Sequence, residues 1–144
     1  MSAASDYTEK NVLNSMLRGV TYPLPSKVFV SLHTANPTDT GGGEVTTANW
    51  PAYARVDAAS GGAIATGWSV PAAGTGGTQL SRNNNQVLYE GMNGTNPVTV
   101  THWALYDAAT GGNLLCHAPL NTSRTLQPGD VFIFDRNSIE ITMA

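Results

Sequence analysis

Three histidines, His33, His102 and His117, are the side chains in this chain best suited to binding a metal or moving a proton. Two of them flank the run Asp107-Ala-Ala-Thr-Gly-Gly112, which has the composition of a hairpin turn. Pairing Tyr106 with Asn113 across that turn sets Leu105 opposite Leu114 and His102 opposite His117. Two facing imidazoles can begin a zinc site, but a catalytic site takes three protein ligands and a structural one four. No carboxylate or thiol joins them, since Cys116 projects to the other face of the strand from His117. The histidines are therefore expected to be satisfied or partly exposed, with no metal and no other cofactor.

Nucleophile candidates fare no better. Ser69 stands in Gly67-Trp68-Ser69-Val70-Pro71, which lacks the second glycine of a nucleophile elbow, and Pro71 is a poor start for the helix that must follow. Cys116 lies in the apolar run Leu114-Leu115-Cys116 and reads as a buried, reduced thiol. The acids Asp39, Glu44, Asp57, Glu90, Asp107 and Asp130 mostly fall in turn-rich segments, where a carboxylate capping local backbone is commoner than a catalytic pair. The glycine-rich runs lack the Lys-Ser/Thr ending of a phosphate loop. Trp50, Tyr53, Trp68, Tyr89, Trp103 and Tyr106 are expected in a core or interface rather than along a sugar-binding face. Together these residues predict a protein that is not an enzyme. A Ser/His/Asp set assembled through space is the one catalytic arrangement left open.

The elements that would position these residues are mainly β. Only 12% of the 144 residues are charged, about half the usual share, and short apolar runs alternate with Gly, Thr, Asn, Ala and Ser. The length fits one domain. The net charge of -3 combines ten acids with seven bases that are scattered singly, which argues against a nucleic-acid surface. No apolar run approaches the roughly 20 residues of a membrane helix, and the polar, acidic start does not resemble a secretion signal.

One helix is signalled from about Tyr7 to Arg18, by Asp6 and Glu9 at its start, the pairs Val12/Met16 and Leu13/Leu17 on one face, and Gly19 as its stop. Pro23 and Pro25 then impose an extended connection. Strands are predicted at Lys27–Leu32, Tyr53–Asp57, Ala63–Ser69, Gln86–Glu90, Val98–Tyr106, Asn113–Ala118, Val131–Phe134 and Ser138–Met143. Without crossover helices between them, they imply an antiparallel β-sandwich or jelly-roll-like barrel with one short N-terminal helix. Residues 1–25 form a helical arm and linker on this reading, and residues 26–144 form the sandwich. Its predicted core is Val28, Val30, Leu32, Val98, Val100, Leu105, Leu114, Phe132, Phe134, Ile139 and Ile141.

Asp57-Ala-Ala-Ser-Gly-Gly62 recurs as Asp107-Ala-Ala-Thr-Gly-Gly112 and reads as a reused turn. The segment Asn36 to Asn49 is long and carries Gly41-Gly42-Gly43, so it is expected to be mobile alone and to order against a neighbouring subunit. Val45, Trp50 and Tyr53 are its candidate interface anchors, joined by Val12 and Met16 of the helix.

Val28-Phe-Val-Ser-Leu-His-Thr-Ala-Asn-Pro-Thr-Asp-Thr-Gly41 with Tyr53-Ala54-Arg55 resembles the opening of small tailed-phage virion proteins labelled tail-fibre-like, a group that includes capsid cement proteins. Val100-Thr-His-Trp-Ala-Leu-Tyr-Asp-Ala-Ala-Thr-Gly-Gly-Asn-Leu-Leu115 is similar to their second signature, and Leu126-Gln-Pro-Gly-Asp130 before Val131-Phe-Ile-Phe134 to their ending. Gly74 to Pro97 departs from the pattern in length and asparagine content. The resemblance implies a non-enzymatic virion structural protein assembled in the bacterial host cytoplasm. A compact domain with a short arm points to a trimeric capsid cement or decoration protein, with copies of itself and the major capsid protein as partners. The alternative is a tail-tip or tail-fibre-associated module that binds a host surface glycan through Trp50, Trp68 or Tyr89 beside Asn83 to Asn85.

Overall fold

A computed structural model describes residues 2–144. The elements in chain order are β1 (Ala3–Ala4), α1 (Asp6–Arg18), β2 (Phe29–His33), β3 (Val56–Asp57), β4 (Ala72–Ala73), β5 (Gln79–Arg82), β6 (Val87–Leu88), β7 (Val98–Tyr106), β8 (Leu114–Leu126), β9 (Ile133–Phe134) and β10 (Glu140–Met143). All pairings are antiparallel. The main sheet runs β1-β8-β7-β2-β3, a second runs β10-β5-β4, and β6 pairs with β9. The result is an open β-sandwich with a short N-terminal helix rather than a closed barrel.

The long hairpin of β7 and β8 is the spine. Alternation puts Val30 opposite Leu105 and Leu32 opposite Trp103, with Leu105 opposite Cys116 on the next strand, so one face of the sheet is apolar throughout. Against it pack Val87, Tyr89, Phe132, Phe134 and Ile139 from the smaller sheets and their connections. Every residue of the predicted core is buried except Ile141, which is half-buried.

Three parts of the sequence reading change. Ala63–Ser69 is not a strand: Ile64–Thr66 forms a 3-10 turn, because Gly67 lies so close to the Ala58–Ala59 backbone that an added Cβ would sit 2.9 Å from the Ala59 amide nitrogen. Strand β8 runs to Leu126, well past Ala118, with Arg124 to Leu126 paired back onto Val100 to Val98. Strands β1, β4 and β5 lie in segments too rich in Ala, Ser and Gln to show an apolar alternation.

The first residues are stitched into the sandwich rather than forming part of a loose arm. Ala3 and Ala4 pair with His117 and Cys116. Ser2 Oγ donates to Thr142 O at 3.2 Å and accepts from Thr142 N at 2.9 Å, which ties β1 to β10. Ser5, not Asp6, is the helix N-cap: its Oγ accepts from Thr8 N at 3.2 Å and also donates to Leu114 O. Thr8 Oγ1 donates to Leu115 O at 2.8 Å. Gly19 closes the helix in the left-handed region at φ 67°.

Candidate functional site

The segment Thr34 to Asn49 has its own hydrogen-bond frame, contrary to the expectation that it lacks one. Thr34 N donates to Gly43 O at 2.8 Å, Gly42 N to Pro37 O at 3.0 Å, Val45 N to Leu32 O at 2.9 Å and Trp50 N to Thr46 O at 2.9 Å. Trp50 folds into the protein, 0% exposed, with Nε1 donating to Gly91 O at 3.1 Å. Its ring packs beside Tyr53 and Tyr89, whose own rings stack at 6.1 Å. This cluster depends on a close approach at Gly94, where any Cβ would fall 1.9 Å from Asn49 O.

A polar clasp sits over one end of the main sheet. Arg55 makes a two-pronged pair with Glu44, Nε to Oε1 and Nη2 to Oε2, each at 2.8 Å. Its guanidinium lies 3.5 Å from the centre of the Tyr106 ring, and Nη1 donates to Ala108 O at 3.0 Å and Gly111 O at 2.7 Å. Burial pushes the Glu44 carboxyl up, but the bonds from Arg55 and Tyr53 outweigh it and hold the group below its ordinary value. One guanidinium thus fastens the Asp107–Gly112 turn to the neighbouring loop. That turn and its repeat are both headed by a capping aspartate: Asp57 accepts from Ala59 N and Gly61 N, and Asp107 accepts from Asn113 N at 2.6 Å.

The histidines are not arranged as the simple hairpin register predicts. Tyr106 pairs with Leu114 rather than Asn113, and an irregularity between Leu105 and Tyr106 shifts the ladder by one more residue, so His102 faces Pro119 and His117 faces Ala104, while His33 on β2 faces His102. His33 is 0% exposed; its Nδ1 lies 2.8 Å from Gly42 O and its Nε2 2.9 Å from Ser31 Oγ. Burial lowers its affinity for a proton. Ser31 is also 0% exposed, and its Oγ donates to Ala104 O at 3.2 Å, so this serine and histidine act as a buried structural pair with no path for a substrate to reach them. Burial likewise pushes the Cys116 thiol up to about 12. Among the described residues no three His, Cys, Asp or Glu side chains cluster as metal ligands.

The proposed anchors divide into two groups. Val45, Trp50 and Tyr53 are 3%, 0% and 8% exposed, so their side chains belong to the core and are not presented to a neighbour. Tyr89 and Asn83 are also enclosed, so of the aromatic and amide residues read from the sequence only Trp68, Asn84 and Asn85 keep exposed surface, each half-buried. Asn83 is instead a staple: its Nδ2 donates to Asn85 O and Asp135 O, and its Oδ1 accepts from Ile139 N, each at 2.8 Å.

Helix α1 is different. It has no buried residue, and it touches the body chiefly through its first turn and β8. Met16 is 75% exposed and Val12 half-buried; Leu13 and Leu17 are 56% and 76% exposed, and Val20 and Leu24 continue the apolar surface into the linker. A family model described as podophage GP4 fiber I protein gp80 matches residues 3–142, almost the whole chain and both signatures noted in the sequence. The chain belongs to this podophage fibre family. It is a phage fibre-type structural protein and a virion component. A search of curated proteins returned no match. In this fibre protein, the outer face of α1, with Leu13, Met16 and Leu17, is exposed and takes no part in the core of the described residues. The helix pattern is visible in the sequence; the cavity beside Trp103 is not, because its residues come from five separate segments.

Proposed function

We propose that this fibre protein is a non-enzymatic assembly module of the phage tail, attached through the apolar face of α1 and working as a homo-oligomer, with three copies as the expected number. The observation that carries the reading is a helix with three exposed large apolar residues, Leu13, Met16 and Leu17, on a protein whose other large side chains are mostly enclosed. At 13 residues α1 is at the margin of stability for an isolated helix, and burying this face would stabilise it. The family description supports a fibre rather than a shell location.

Capsid cement is the second reading, favoured by a single compact β body with no repetitive shaft among the described residues. Quantitative mass spectrometry of purified virions separates the two: a handful of copies supports the tail, and hundreds support decoration of the major capsid protein. The double variant Leu13→Gln/Leu17→Gln should fold normally, because both side chains are exposed, yet fail to enter particles. Incorporation at the normal level would sink the helix-attachment reading.

A further inference from the structure

Residues 36–43 lie over the outer face of the main sheet, and of their side chains only Pro37 is buried. What holds them is backbone, gripped from the sheet. His33 Nδ1 lies 2.8 Å from Gly42 O, Thr34 N and Thr34 Oγ1 donate to Gly43 O at 2.8 and 3.2 Å, and the Tyr106 hydroxyl donates to Gly41 O at 3.4 Å. Thr38, a β-branched residue, is kept at φ 51°, in the left-handed region that such residues rarely adopt, so the closed segment carries strain that lifting releases. On either side the chain is anchored again, by Leu32 before it and by Val45 and Trp50 after it, all in the core. A segment fastened at so few points can lift while the sandwich stays folded.

The imidazole of His33 finds hydrogen-bond partners in either protonation state. Neutral, it donates from Nδ1 to Gly42 O and accepts at Nε2 from the Ser31 hydroxyl; charged, it donates to both, and Ser31 turns its hydrogen to Ala104 O at 3.2 Å. Charge is what the closed segment does not accommodate. The ring is fully enclosed, Arg55 and His102 stand near it, and Glu44, the carboxylate that faces it, is already taken by its two-pronged pair with Arg55 and by the Tyr53 hydroxyl at 3.1 Å. Tyr106, stacked on the imidazole at 6.4 Å, and Tyr53 stay neutral, because burial raises both. Burial, with Arg55 and His102 adding to it, outweighs the attraction of Gly42 O and Glu44 and lowers the proton affinity of the closed site.

We propose that residues 36–43 are an acid-opened flap: a proton taken up by His33 releases the three glycines and uncovers the His33 and Tyr106 rings while the sandwich stays folded. Lifting returns His33 to water and to its ordinary value of 6.5, so protons favour the open flap as pH falls below that value, until the closed site is protonated as well. While the closed site stays neutral, the opening constant rises about tenfold from pH 7.5 to 5.5. The device goes beyond the assembly role, and no residue of α1 takes part in it.

Hydrogen exchange of the full chain, followed by NMR and corrected for the intrinsic rate at each pH, reads the opening. The Thr34 amide, bonded to Gly43 O, reports the flap, and the Tyr89 amide, bonded to Phe132 O, reports the core. Thr34 is expected to open more readily than Tyr89 at both pH values, with an opening constant about tenfold larger at pH 5.5 than at pH 7.5. Its exchange should ignore low urea, which marks an opening that exposes little surface. His33→Asn should remove the rise, and His102→Gln, at a half-buried position, should keep it. An opening constant equal at the two pH values overturns the proposal, as does one that follows Tyr89 through urea and so reports global unfolding, or a rise that survives His33→Asn or disappears in His102→Gln. If His33→Asn does not fold, the wild-type protein and His102→Gln still decide the matter.

Discussion

Replacing Asn83 with Ala should be among the most damaging single changes outside the apolar core. The side chain is 0% exposed and joins three places at once: Ile139 N, Asn85 O and Asp135 O, all at 2.8 Å. Ile139 is fully buried, so its amide has no water to replace the lost acceptor, at a cost of roughly 1 to 3 kcal/mol. Asn85 is half-buried and Asp135 exposed, so their carbonyls can recover hydration; each lost bond there costs about 0.5 to 1.5 kcal/mol. The sum is about 2 to 6 kcal/mol, a large fraction of the stability of an ordinary domain. Urea denaturation followed by tryptophan fluorescence measures it. The companion Asn83→Asp keeps the acceptor for Ile139 N but aims a negative charge at two carbonyls, which should raise its pKa in the folded state. That variant should therefore be most stable in acid, and lose stability as pH rises from the ordinary aspartate value through the raised one. The Ala variant should show no such added slope. A loss below 1 kcal/mol for Asn83→Ala, or parallel pH profiles for the two variants, would refute the staple.

The wild-type protein should weaken in acid in two steps. Burial depresses the pKa of His33, so its contribution is full above 6.5 and is lost as pH falls toward the folded value; Glu44, held low by Arg55 despite burial, adds a second loss below 4.5. A flat unfolding free energy between pH 7 and 5 would contradict the first step, and His33→Asn should shrink it to the part owed to His102, whose proton affinity burial and His117 also lower. Phe134→Ala should cost roughly 3 to 5 kcal/mol, since its ring is 7% exposed and packs on Phe132 at 5.0 Å; a cost under about 1 kcal/mol would mean that the site collapses freely. Cys116 should react with a thiol reagent at pH 8 only at the rate of unfolding, because the thiol is buried and pushed up to about 12; rapid labelling of the native protein would show an opening that the fold does not provide.

What the sequence reveals follows from how local each signal is. Strand β7 is read to the residue, because Val98, Val100, Leu105 and Tyr106 signal a strand by β-branching and alternation while Asp107 ends it with a turn. Trp50 is misjudged for the opposite reason. It stands in a polar, glycine-rich stretch, and its burial depends on Gly91 and Gly94, more than forty positions away, and on partners such as Tyr89. The histidine pairing fails because Tyr106 pairs with Leu114 and the ladder slips once more between Leu105 and Tyr106, which no local pattern announces. The helix start is off by one residue because Ser5 and Asp6 are both good caps, and only contact with Leu114 selects the serine. The cavity beside Trp103 combines residues from Ser2 to Thr142, so no motif could have shown it.

The hydroxyl of Ser2 closes a ring in the chain path. Through its two bonds to Thr142, the strand that enters the sandwich first and the strand formed last lie side by side. The order of segments along the backbone is therefore not the order in which space is filled, and the covalent opening can be moved. Joining residue 143 to residue 2 by a short flexible linker and cutting between Gly76 and Gly77, both at positive φ with open space around them, would give a permuted chain with the same sheets. The tip between β4 and β5 would then carry both new termini, and a peptide or reporter added there would enter open space without burdening the strand that Ser2 secures.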